Sequence, residues 1–178
     1  RAALATGLVT GSEIEAILES AEIKADAPPA PQLFHLGYLG PFEEDVSLLG
    51  TTKGYRLKHA LDGDEKPAFA PIFLVAPSLT PAPIPDLGLF AEKTFQGMDQ
   101  LTDKIIERQD AVTVDGLNAY ELTGAGTDHA TGSPAFVYEL MVKAQTGGFF
   151  RLLGLAPESE RKRLGDEFIK IGRSFRAG

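Results

Sequence analysis

The sequence predicts an α+β domain in which helices pack on a mainly antiparallel sheet as a layered α/β/α sandwich. Hairpin turn signals recur between segments that alternate in polarity. Apolar stripes at helical spacing occur between and after those segments. The 178 residues are 43% hydrophobic and 24% charged, close to the ordinary mix for a globular domain. A chain of this length buries about 70% of the surface that it exposes when unfolded, enough for a core without metal or disulfides.

Ser12-Glu13-Ile14-Glu15 forms a capping box, and Ile14, Ile17, Leu18 and Ala21 follow at helical spacing. They predict a helix over 12–24, ended by the stiff segment Ala27-Pro28-Pro29-Ala30-Pro31. The chain therefore divides into residues 1–31, a helix and proline-rich linker, and a single domain over 32–178. Residues 33–60 are mixed, with glycines at 37, 40, 50 and 54, and two or three strands are expected before the next helix. Gly54–Ala60 alternates as a strand, Asp62-Gly63-Asp64 turns the chain, and residues 68–76 return as its hairpin partner.

Asp86 is placed to cap a helix over 86–101, with Leu87, Phe90, Ala91, Phe95, Met98 and Leu101 as its apolar stripe. Strand 104–114 meets Asp115-Gly116, the favoured two-residue hairpin turn, and strand 117–123 returns. Gly124 to Pro134 reads as a long polar loop. Strand 135–145 then puts Phe136, Tyr138, Leu140, Val142 and Ala144 on one face, with Glu139 and Lys143 on the other. Thr146-Gly147-Gly148 leads into strand 149–155. Pro157 suits a first helical turn, and Leu164, Phe168, Ile171 and Phe175 form the buried stripe of the last helix.

Composition excludes several classes of function. With no cysteines there is no disulfide framework, thiol nucleophile or cysteine-held metal. The formal net charge of −8 disfavours nucleic acid, whose binding needs a basic surface. Residues 151–178 carry seven bases against four acids; a helix with solvated charges accounts for them. The uncharged stretch Pro67–Pro85 contains six prolines, which break a membrane helix, so the domain is expected to be soluble with no membrane span. His35, His59 and His129 lack metal-ligand spacing, and Glu43-Glu44-Asp45 and Asp62-Gly63-Asp64-Glu65 fit solvated turns better than a calcium loop. No phosphate loop, dinucleotide fingerprint or nucleophile elbow is present. The expectation is therefore no cofactor, no metal and no catalytic residue.

The order of several short motifs in the second half resembles the PsbP-like family. They are Gly116-Leu117-Asn118-Ala119-Tyr120-Glu121-Leu122, Asp128 with Thr131-Gly132-Ser133-Pro134, Gly147-Gly148-Phe149-Phe150-Arg151, and Ile171-Gly172-Arg173-Ser174-Phe175-Arg176. The family includes the extrinsic PsbP subunit of photosystem II, a Ran-binding factor of nuclear import and exported bacterial proteins. The resemblance spans residues 70–178. It implies the sandwich fold, and accessory or protein-binding roles in place of a reaction. It also implies export to the periplasm or another outer compartment, with which the small-x-small form of Ala3-Leu4-Ala5 agrees.

The candidate binding loop is 124–134, where Asp128, His129, Thr131 and Ser133 supply polar groups among glycines. Two readings of function follow. One is an accessory domain that binds a protein partner through a surface. The other is a hydrolase or small-ligand-binding enzyme that uses this loop, with Asp128 and His129 facing a pocket and a third polar group.

Overall fold

The computed structural model of the chain describes residues 33–48, 51–59, 67–78, 83–145 and 147–178. The predicted helix over 12–24, the proline linker and the Asp62-Gly63-Asp64 turn lie outside them.

The described residues form strands β1 (Phe34–Leu36), β2 (Phe42–Leu48), β3 (Thr52–Leu57) and β4 (Ile72–Pro77), then helix α1 (Leu87–Gln96). Strands β5 (Leu101–Val114), β6 (Leu117–Asp128), β7 (Pro134–Lys143) and β8 (Phe149–Pro157) follow, then α2 (Arg161–Arg173) and β9 (Phe175–Ala177). Seven strands make one sheet in the order β2-β3-β4-β8-β7-β6-β5, every neighbour antiparallel. Strands β1 and β9 pair separately.

Local chemistry explains this order. Asp115 and Gly116 both take positive φ, 53° and 74°, the conformation that a tight β5–β6 hairpin requires. Between β4 and β5 the chain must cross from the middle of the sheet to its edge, and α1 makes that crossing on one face. After β8 the chain turns through Glu158–Glu160 into α2, which covers the opposite face. Phe42, Phe73, Phe136, Tyr138, Leu152, Leu164, Phe168, Ile171 and Phe175 belong to the core beneath α2. Phe95, Met98, Leu101, Leu122, Ala135, Val137 and Leu155 form the second core beneath α1. The layers are thus α/β/α, as the patterning predicts.

Four details differ from the sequence reading. Helix α1 ends at Gln96, because Gly97 closes it with its N–H on the Lys93 carbonyl; Met98 and Leu101 keep the apolar spacing but are buried from the following turn and from β5. Phe175 is buried on β9, since α2 stops at Arg173. Strands β1 and β2 occupy a region that gave no clear periodicity.

The fourth difference concerns the predicted loop 124–134. Strand β6 runs to Asp128 and β7 starts at Pro134, so the connection is short. Gly124 and Gly126 are strand residues at a close approach. A Cβ on Gly124 would lie 2.6 Å from the Ile105 carbonyl and from the Phe95 ring, and one on Gly126 would lie 2.9 Å from the Thr102 carbonyl. Glycine inside a strand marks such contacts as readily as a loop. The register of β5 against β6 shifts at the same place.

Candidate functional site

The residues singled out in the sequence meet at the β6–β7 connection. The Asp128 Oδ1 accepts from Thr131 N at 2.8 Å and from Thr131 Oγ1 at 2.6 Å. Ser133 N donates to Thr131 Oγ1, and the Asp128 N–H donates to the Ser133 carbonyl. These groups close the turn on itself. The His129 N–H donates to the Gln100 carbonyl at 2.8 Å, tying the turn to the start of β5. Among the described residues, the side-chain hydrogen bonds of Asp128 go to Thr131 and none joins it to His129. His35 lies on β1, in the separate two-stranded pair, and His59 follows β3, four places from β6 in the main sheet. Among the described residues no group of acids and histidines has metal-binding geometry.

Two carboxylates that sequence reasoning passed over are buried in the sheet. Glu121 on β6 accepts the Tyr138 hydroxyl at 3.1 Å and two guanidinium bonds from Arg173, at 2.9 and 3.1 Å. Glu139 on β7 is 0% exposed. It accepts Thr94 Oγ1 at 2.6 Å and Arg151 at 2.7 Å. Each carboxylate thus holds one helix to one face of the sheet, and its oxygens are spent on that task. The bases of the C-terminal segment are largely spent as well: Lys170 pairs with Glu167, Arg173 with Glu121 and Arg176 with Asp115.

Open concave surface lies instead beside the N-terminal half of α1. A cleft of about 540 Å³ opens where the N-terminal half of α1 meets β5 and β6, lined by Asp86, Gly88, Glu92, Asn118 and Tyr120 among others. Asp86 reaches it because it caps α1, its Oδ1 accepting the Leu89 N–H at 2.9 Å. Glycine at 88 lets the Tyr120 ring pack against the helix backbone; a Cβ there would sit 2.9 Å from the ring. Burial raises the Tyr120 phenol pKa, and Glu92 and Asp86 raise it further. A second groove of about 290 Å³ adjoins, lined by Pro83, Ile84, Phe90, Lys93 and Phe149 with Asp86 and Leu89. Phe90 and Phe149 meet edge to face at 4.9 Å. Leu89 borders both clefts and keeps 49% of its surface exposed. The composition of this surface was visible in the sequence, but its concavity arises only when β6 passes under α1.

Among the described residues no helix is long and apolar enough to cross a membrane. No family model matches the chain, and no curated protein matches it in sequence. Solved structures do match. The Ran-binding protein Mog1p of Saccharomyces cerevisiae superposes with a TM-score of 0.56 at 8% identity, over 82% of this chain and 90% of that one. Cyanobacterial PsbP (CyanoP) of Synechocystis gives 0.51 at 12% identity, over 83% and 88%. LpqN of Mycobacterium tuberculosis, involved in cell envelope biogenesis, gives 0.51 at 15% identity, over 80% and 81%. The α/β/α sandwich of this chain is the fold shared by PsbP and Mog1p.

Proposed function

We propose that this chain is a non-catalytic accessory domain of an exported compartment that docks a protein partner on the N-terminal half of α1. The observation that carries the reading is Leu89. It is a half-exposed apolar side chain on a helix whose Ala91 and Phe95 are buried, and it stands between two adjoining clefts. Apolar surface rimmed by polar groups is a common form of interaction site. The Ran-binding role of Mog1p supports a binding function at the level of the fold. The cell-envelope role of LpqN supports export.

The test compares wild type, Leu89→Arg and the double variant Asp128→Ala/His129→Ala as baits in native extract, with mass spectrometry of what each retains. The expected outcome is a specific protein retained by wild type and lost by Leu89→Arg at unchanged melting temperature. Loss in the double variant alone moves the docking site to the 129–133 turn. Retention by all three variants removes both surfaces. Fractionation of the source cells tests the compartment, and recovery in the cytoplasmic fraction overturns export.

A further inference from the structure

The clefts beside α1 have a sign of charge as well as a shape. Asp86 and Glu92 are the charged residues lining the larger cleft; the others include the Asn118 amide and the Tyr120 ring. The ten ion pairs among the described residues include neither Asp86 nor Glu92. Both carboxylates act on the Tyr120 phenol, so their field reaches the cleft wall that the ring forms. An aromatic ring and two carboxylates lining one cleft are a favourable setting for a cation, because ring and carboxylates both attract positive charge. The same carboxylates repel an anion. The α1 N-terminus does not reverse this preference, since Asp86 already occupies the Leu89 N–H.

The adjoining groove has the opposite character. Pro83, Ile84, Pro85, Phe90 and Phe149 line it, with Lys93 as its cation. Asp86 and Leu89 belong to both surfaces. A chain segment crossing Leu89 therefore meets an acidic cleft on one side and an apolar groove on the other.

We propose that the α1 face takes an extended segment of a partner protein in which a lysine or arginine neighbours a large apolar residue. The cation enters the cleft of Asp86, Glu92 and Tyr120, and the apolar side chain enters the groove of Ile84, Phe90 and Phe149. This inference rests on the reading that α1 is the partner surface and adds the chemistry of the partner. Charge would set the choice of partner here, because an acidic side chain in the larger cleft meets the like charges of Asp86 and Glu92.

The test uses ¹⁵N-labelled protein titrated with three blocked tetrapeptides: Ser-Arg-Leu-Ser, Ser-Glu-Leu-Ser and Ser-Arg-Ser-Ser. A double variant, Asp86→Asn/Glu92→Gln, removes both charges while asparagine keeps the helix cap. The expected result is saturable shifts at Gly88–Lys93, Asn118 and Tyr120 with the first peptide. Binding should be at least about tenfold weaker for the glutamate peptide and for the double variant. The Ser-Arg-Ser-Ser peptide should bind weakly and leave Phe90 and Phe149 unshifted. Equal affinity for arginine and glutamate peptides overturns the cation while leaving α1 as a docking face. Shifts undiminished in the double variant overturn it too, as does the lack of any saturable shift. By contrast, a partner captured equally by wild type and Leu89→Arg removes the docking face itself.

Discussion

At the scale of single residues the fold depends on where a side chain is missing as much as on where one is present. Gly154 on β8 lies under α2, and a Cβ there would sit 2.5 Å from the Phe168 ring. That ring is fully buried between Phe42, Phe73 and Phe136. Gly154→Ala should therefore lower stability by about 1–3 kcal/mol through overpacking, read as a lower urea midpoint; an unchanged midpoint would mean that the aromatic cluster shifts freely. Tyr138 makes a second residue-scale test. Burial first, then the Glu121 charge, pushes its phenol pKa well above the ordinary value, which is about 10. A raised folded pKa means that this contribution to stability is complete below the unfolded value and is lost as pH rises through the folded one. In a spectrophotometric titration Tyr138 should stay protonated while exposed tyrosines ionise, releasing its proton at higher pH or on unfolding. A profile identical in Tyr138→Phe, with that late step retained, would contradict this. Neither Glu121 nor Glu139 was legible as a buried anchor. Alternation places a glutamate on a face of a strand, but not what covers that face.

At the scale of elements, the sequence is most readable where the turn chemistry is strict. Asp115-Gly116 locates the β5–β6 hairpin, and Asp86 locates the start of α1. The errors arise where one residue type serves two purposes. Glycines 124 and 126 look like a loop but permit close approach inside β6. Met98 and Leu101 hold helical spacing across a turn that is no longer helix. The short connection that replaces the predicted loop has its own test. Asp128 accepts two hydrogen bonds from Thr131, whereas the His129 main chain, not its ring, ties the turn to Gln100. Asp128→Ala should thus cost about 1 kcal/mol by loss of those bonds, and His129→Ala should leave the thermal midpoint nearly unchanged. A larger loss from His129→Ala would show that the imidazole has a structural partner.

At the scale of the whole molecule, the sheet separates two cores of unequal size. Among the described residues, the side beneath α2 gathers Phe34, Phe42, Phe73, Phe136, Phe150, Phe168 and Phe175 with many aliphatic partners. The side beneath α1 rests on Phe95, Met98, Leu101, Leu122 and a few others. Helix α2 buries Leu164, Phe168, Ile171 and Gly172 along its length, and Arg173 pins its last turn to Glu121. Helix α1 is shorter, and its buried residues are Ala91 and Phe95. Free energy of local opening follows the apolar surface that opening exposes, so the two helices should not open together. Native-state hydrogen exchange should give the amides of α1 lower opening free energies than those of α2, with α2 nearer to global unfolding. The difference has a functional sense, because surfaces that rearrange on binding are drawn from the less stable parts of a fold. The exposed Leu89 and both clefts lie on the weaker helix. Equal protection of the two helices would mean that the small core is coupled through the shared strands β6, β7 and β8. In that case α1 would present a rigid face to its partner.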